Sequence, residues 1–158
     1  MLGTLFQDHK TKLLVLVFAL CAPIIMSLSM PNLHSLSATF ETAWQPVFIF
    51  SNTITSYWLY SSNRWKIPAS FLMLLTAFSC NDYFYIHYTF AIAFFVSCVF
   101  SVAKDKRFNA YLIPYILTIP LFIFDILLGE IAAIAVLVAY HAHLLFLAWT
   151  INKKRRNK

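Results

Sequence analysis

Apolar residues fill long stretches of this chain, and short polar breaks divide those stretches into six segments. The breaks fall at 32–37, 61–66, 81–82, 104–109 and 129–130. A helix of about 20 apolar residues crosses a hydrocarbon core of about 30 Å and satisfies its own backbone hydrogen bonds there. The pattern therefore predicts an all-α fold: a polytopic membrane protein with six transmembrane helices in one bundle.

The predicted spans are 13–30, 42–60, 67–80, 83–103, 110–128 and 131–151, all within a single integral-membrane domain, 1–158, that ends in a basic tail at 152–158. The third span is short. At about 1.5 Å per residue it covers little more than 20 Å, so it borrows flanking residues, thins the bilayer or is re-entrant. Two prolines in the fifth segment, Pro114 and Pro120, predict kinks there.

Composition excludes a soluble globular protein. Of the 158 residues, 61% are hydrophobic and only 11% are charged, against roughly a quarter charged in soluble domains. Basic residues occur in short clusters between apolar stretches, so no nucleic-acid partner is predicted. The three cysteines stand singly in the sequence, which favours neither a disulfide framework nor a zinc knuckle. No cofactor is predicted.

The distribution of basic residues predicts the orientation. If the N-terminus is inside, all 12 Lys and Arg residues of the six-span arrangement fall on the inner side, as the positive-inside rule requires. They are Lys10, Lys12, Arg64, Lys66, Lys104, Lys106, Arg107, Lys153, Lys154, Arg155, Arg156 and Lys158. Both termini are therefore expected in the cytoplasm, with the protein in a plasma (bacterial inner) membrane or an endomembrane. The terminal cluster KKRRNK also attracts anionic lipids, although sidedness alone explains it.

Ionisable side chains within membrane spans cost about 3 kcal/mol or more, so they are the first candidates for function. In the six-span arrangement, five acidic or histidine side chains lie within the outer parts of the spans or at their outer ends: Glu41, Asp82, His87, Asp125 and Glu130. This one-sided set predicts an outward-facing polar cavity that binds a lipid headgroup or a partner helix. The expected partners are thus membrane lipids and, as a further possibility, another membrane protein.

Two polar positions in other parts of the spans predict contacts between helices. His141 shares a helical face with Glu130 and Leu137, whereas His143 points about 200° away from it. Asn52 lies in a small polar patch of the second span. Intramembrane polar residues most often form hydrogen bonds between helices, and we expect this of Asn52 and His141.

Three function classes are compatible with these residues. The leading hypothesis is a non-enzymatic, lipid-associated or partner-binding membrane protein. The alternative is a metal-dependent intramembrane lipid hydrolase, with zinc held by His87, His141 and one of Asp82 or Asp125 and with an open position for water. No HEXXH or GxSxG motif supports that alternative. The third class is an accessory subunit of a larger membrane complex.

The stretch HYTFAIAFF in span four contains His87, Ala91, Phe94 and Phe95 in an HxxxAxxFF pattern. This pattern resembles the six-helix family of the damage-regulated autophagy modulators, the FGF-receptor-activating protein and their bacterial relatives. The resemblance implies a six-helix bundle with both ends cytoplasmic and a lipid-linked role. By matching position it also implicates His87 and Glu130, which we expect to form a buried, charge-assisted hydrogen bond between spans four and six.

Overall fold

The computed structural model describes the backbone of residues 9–30 and 32–156. Seven α-helices occur in this part of the chain: α1 (His9–Ser29), α2 (Gln45–Tyr60), α3 (Lys66–Ala77), α4 (Phe84–Ala103), α5 (Leu112–Ile116), α6 (Ile119–Phe124) and α7 (Ile126–Arg156). Three 3-10 helices connect them, at Leu36–Glu41, Asn63–Trp65 and Lys106–Tyr111. The described residues contain no strand, so the predicted all-α class is confirmed.

The helices form a closed ring in chain order. α2 packs between α1 and α3, α4 packs against α3 and α5, and α7 contacts α5, α6 and α1. The core lies inside this ring and contains large side chains that are almost fully buried, among them Met26, Trp65, Phe94 and Tyr140. Because α7 closes onto α1, the first and last helices of the described chain are neighbours.

Three helical stretches are long and apolar enough to cross a membrane: Thr11–Ser29, Phe84–Ala103 and Ile126–Lys154. They belong to α1, α4 and α7. Many large apolar side chains on the outside of the ring are exposed, including Leu14, Leu28, Ile123 and Phe124. An apolar exterior is stable in lipid rather than in water. The protein is therefore a helical membrane protein.

The fifth apolar segment is broken, as its prolines predict. Pro114 lies in the first turn of α5, and Pro120 in the first turn of α6. A proline has no N–H to donate, and the first turn of a helix is the place where that N–H has no acceptor within the helix. Between the two helices, the Thr118 hydroxyl donates to the Tyr115 carbonyl oxygen at 2.7 Å.

The last break lies earlier in the chain than the sequence pattern indicates. α7 begins at Ile126 and runs through Gly129 and Glu130 without interruption. The Asp125 carboxylate accepts a hydrogen bond of 3.0 Å from the Leu128 N–H and so satisfies a free donor at the start of α7. With 31 residues, α7 is about 46 Å long, which exceeds the hydrocarbon thickness of about 30 Å.

The two ends of the bundle differ in chemistry. We define the basic end as the one that carries Lys12, Arg64, Lys66, Lys104 and Lys106. Lys12 and Arg64 line the same cavity as the C-terminal half of α7. The start of α1, the loop after α2, the loop after α4 and α7 therefore meet at this end. The opposite end carries the 3-10 helix Leu36–Glu41 and the turn before α4.

Candidate functional site

A cavity of about 460 Å³ opens at the basic end, between the start of α1, the loop after α2 and the C-terminal half of α7. We call it the mouth cavity. Its apolar lining residues are Trp58, Leu59, Trp65, Leu144, Leu145 and Ala148. Its polar lining consists of Lys12, Ser61, Ser62, Asn63, Arg64 and Asp105, and the rings of Tyr140 and His141 complete the cavity. A cavity with both kinds of lining is suited to an amphiphilic molecule.

An ion pair holds two side chains of the polar lining, Arg64 and Asp105, in place. Arg64 Nη1 donates to Asp105 Oδ2 at 2.5 Å, and the Tyr140 hydroxyl lies 3.5 Å from both atoms. The Asp105 side chain is 4% exposed, whereas that of Arg64 is 33% exposed. The Ser101 hydroxyl donates to the Arg64 carbonyl oxygen at 3.1 Å, which anchors the backbone of the same residue. The hydrogen bond that Arg64 donates to Asp105 raises the pKa of the Arg64 guanidinium, so Arg64 stays charged.

A smaller cavity lies deeper in the ring, with a volume of about 80 Å³. It shares Trp58, Leu59, Trp65 and His141 with the mouth cavity, so the two cavities meet at these side chains. Its lining is mostly apolar, and it is smaller than the cavities of about 150 Å³ that hold benzene in engineered proteins. The deeper cavity therefore has room for only a short piece of an apolar chain.

His141 lies at the junction of the two cavities. It is 7% exposed, and its ring centroid lies 4.8 Å from that of Trp58 and 4.5 Å from that of Trp65. Its Nδ1 donates to the Leu137 carbonyl oxygen at 2.8 Å, and its buried Nε2 has no hydrogen-bond partner among the residues that the structure describes. Because a carbonyl only accepts, Nδ1 carries the proton and Nε2 is a bare acceptor.

The expected hydrogen bonds between helices are not formed by His141 or Asn52. His141 bonds within its own helix, since Leu137 is one turn earlier. Asn52 lines the deeper cavity, and its side chain forms no hydrogen bond with the described residues. The predicted orientations of the two histidines are confirmed: His141 is buried, whereas His143 is exposed, with Nδ1 3.1 Å from the Tyr111 hydroxyl.

At the opposite end, two buried polar side chains satisfy the ends of short helices. Glu130 Oε2 accepts a hydrogen bond of 2.6 Å from the backbone N–H of Leu36, the first residue of its 3-10 helix. His87 Nδ1 donates at 2.8 Å to the carbonyl oxygen of Phe78, which follows the last residue of α3. The expectation of a hydrogen bond between His87 and Glu130 is therefore wrong. Each of these two side chains instead bonds to a backbone group that is free at a helix end.

The other residues of the predicted outward-facing cavity are more exposed. Asp82 lies on the surface, and the exposed Asp125 caps α7. Glu130 lines a cavity of about 40 Å³ between α2, α4 and α7. No hydrogen bond or ion pair joins any two of the four described members of the set. The side chain of the fifth, Glu41, lies outside the described residues.

Within the described part of the chain, no group of three or more His, Cys, Asp and Glu side chains is arranged to hold a metal ion. His87 and His141 lie in different surroundings, the first beside Phe78 and the second between Trp58 and Trp65. In comparisons with known proteins, no family model, curated protein or solved structure matches this chain.

Sequence reasoning missed the mouth cavity. It used Lys12 and Arg64 only as indicators of sidedness, and it gave Asp105 and Tyr140 no role. One available signal was that Asp105 is the single acidic residue within a basic loop, KDKR. An acid in that position is a natural ion-pair partner for a nearby cation.

Proposed function

We propose that this chain is a non-enzymatic membrane protein with six spans and cytoplasmic termini that binds a membrane lipid in the mouth cavity. The common location of the basic residues supports the orientation, because cations collect on the cytoplasmic side of membrane proteins. The basic end is then the cytoplasmic face, and the mouth cavity lies at the inner boundary of the bilayer.

The mixed lining of the mouth cavity carries this proposal. A lipid presents a polar headgroup next to apolar chains, and the cavity offers charged and polar side chains to the first and apolar side chains to the second. Trp58 and Trp65 suit the boundary between them, where aromatic side chains accumulate in membrane proteins. The volume of about 460 Å³ also falls within the range of about 300 to 1,000 Å³ that is usual for ligand pockets.

The opposite end supports ligand binding less well. Its buried polar groups, Glu130 and His87, are engaged with the backbone of this chain, so a ligand would have to replace those bonds. We therefore place the lipid at the basic end rather than in the outward-facing cavity that the sequence predicts. The proposed kinship with the six-helix family, whose members have lipid-linked roles, favours the same class of function.

Tryptophan fluorescence tests the proposal. In a Trp44→Phe/Trp149→Phe background, the remaining tryptophans, Trp58 and Trp65, both line the mouth cavity. A phospholipid with brominated acyl chains quenches tryptophan on contact. We expect quenching in mixed micelles that saturates at a low mole fraction of brominated lipid, because a site fills whereas bulk contact increases in proportion to the lipid.

Filling the cavity provides the matched control. Ala148→Phe places a ring in the mouth cavity and should abolish saturable quenching. Ala139→Phe adds the same ring to an exposed position of the same helix and should leave the quenching unchanged. Quenching that rises linearly with lipid, or that survives Ala148→Phe, would contradict lipid binding at this site.

A further inference from the structure

We propose that the mouth cavity selects a lipid with an anionic phosphate headgroup, and that Lys12 and Arg64 bind that phosphate. This inference rests on the proposed function and specifies the ligand class of the same site. It follows from the hydrogen-bond donors and charges of the polar lining rather than from the overall charge of the protein.

The polar lining of the mouth cavity carries a net positive charge. It contains two cations, Lys12 and Arg64, and one carboxylate, that of Asp105, which leaves one net positive charge. The carboxylate is buried and already bonded to Arg64. Lys12 forms no ion pair with any described side chain. This lining therefore favours an acceptor-rich, negatively charged ligand, and a phosphate has both properties.

Arg64 is held in place with unused donors. Only Nη1 bonds to Asp105 and approaches Tyr140, while Nε and Nη2 have no partner among the described residues. A guanidinium fixed on one side can offer its remaining N–H groups to a phosphate with little further loss of freedom. Lys12 supplies a second cation to the same cavity from α1.

Other basic residues of this end do not take part in the site. Lys66 lies over the Tyr60 ring, Lys153 lies over the Trp149 ring, and Lys104 is exposed. None of the three lines the mouth cavity. They attract anionic lipid only through the general surface potential, so each serves as a control of equal charge.

Competition against the brominated phospholipid tests the inference. The competitors are phosphatidic acid, phosphatidylcholine with the same chains, and inorganic phosphate. We expect phosphatidic acid to displace the brominated lipid at a lower concentration than phosphatidylcholine. Lys12→Met should weaken phosphatidic acid binding about 10-fold, the effect of losing one charge-assisted hydrogen bond. Lys12→Arg should retain binding, and Lys104→Met should leave it nearly unchanged.

Each of the other outcomes has a separate meaning. Equal weakening by Lys12→Met and Lys104→Met would overturn the inference in favour of general surface charge, as would equal affinity for the two lipids. Displacement by inorganic phosphate at the same concentration would overturn the assignment to a lipid headgroup. In these cases saturable quenching persists, so the proposed lipid binding stands. Absence of saturable quenching in the protein with an unsubstituted mouth cavity would instead contradict the proposed function itself.

Discussion

The Glu130 carboxylate on α7 accepts a hydrogen bond of 2.6 Å from the backbone N–H of Leu36, which lies 94 residues earlier in the chain. Glu130 is 8% exposed and Leu36 is 6% exposed, so the bond is shielded from solvent. It joins the loop between α1 and α2 to the helix that closes the ring. A single side-chain oxygen thus holds together two distant parts of the fold.

The first prediction concerns this bond. Glu130→Gln keeps an amide oxygen that can accept from Leu36, whereas Glu130→Ala leaves the buried N–H without a partner. An unsatisfied buried donor costs about 1 to 3 kcal/mol. We expect Glu130→Ala to lower the free energy of unfolding in mixed micelles by that amount and Glu130→Gln to lower it less. The exposed Asp82→Ala variant is the control, and equal losses for the two Glu130 variants would contradict this role.

The second prediction concerns the asymmetry of the pair between Arg64 and Asp105. Arg64→Met removes one partner of a carboxylate that is only 4% exposed, whereas Asp105→Asn removes a partner of a guanidinium that is 33% exposed and can be hydrated. Loss of a partner is most damaging for the charge that remains buried. We expect Arg64→Met to lower the thermal midpoint more than Asp105→Asn does, as measured by loss of near-UV circular dichroism. The reverse order would contradict the assigned burial.

Local patterns predicted much of the helical architecture. The apolar stretches mark α1, α4 and α7, because helices in lipid need long runs of apolar residues. The prolines Pro114 and Pro120 mark a broken segment, because each lacks a backbone donor. Helical periodicity also predicts that His141 points inward and His143 away from it, since residues two apart point in nearly opposite directions.

The polar contacts could not be predicted in the same way. The partners of Glu130 and His87 are backbone groups of Leu36 and Phe78, which are free only because helices begin or end there. Hydrophobic patterns locate such ends to within a few residues, and a single residue decides which group is free. The distribution of basic residues between the loops predicts that Arg64 and Asp105 lie at the same end of the bundle. It does not predict which side chains pair.

The third prediction concerns the bare Nε2 of His141. His141→Phe keeps a ring between Trp58 and Trp65 and removes an unsatisfied acceptor, while it loses the bond to the Leu137 carbonyl oxygen. Removal of the unsatisfied acceptor raises the free energy of unfolding by about 1 to 3 kcal/mol, whereas loss of the hydrogen bond lowers it by about 0.5 to 1.5 kcal/mol. We expect His141→Phe to be as stable as the unsubstituted protein or more so in thermal unfolding.

His141→Ala is the comparison for that variant. It removes the ring as well and leaves a cavity beside two tryptophans, and truncation of a buried aromatic ring costs about 3 to 5 kcal/mol. A clear loss of stability is therefore expected. If His141→Phe lost as much stability as His141→Ala, hydrogen bonding rather than ring packing would be the main contribution of His141.

The last prediction concerns the contact between α6 and α7 at Gly129. A Cβ at this position would lie 2.7 Å from the Phe122 ring and 2.8 Å from the Phe122 backbone nitrogen. Gly129→Ala gains up to about 1 kcal/mol of helix propensity but forces this contact apart, at about 1 to 3 kcal/mol. The steric cost exceeds the gain in helix propensity because the Phe122 backbone nitrogen cannot rotate away. We therefore expect Gly129→Ala to lower the free energy of unfolding in mixed micelles. Leu128→Ala, at the exposed neighbouring position, should change stability little, and a stabilised Gly129→Ala variant would show that α6 can shift to make room.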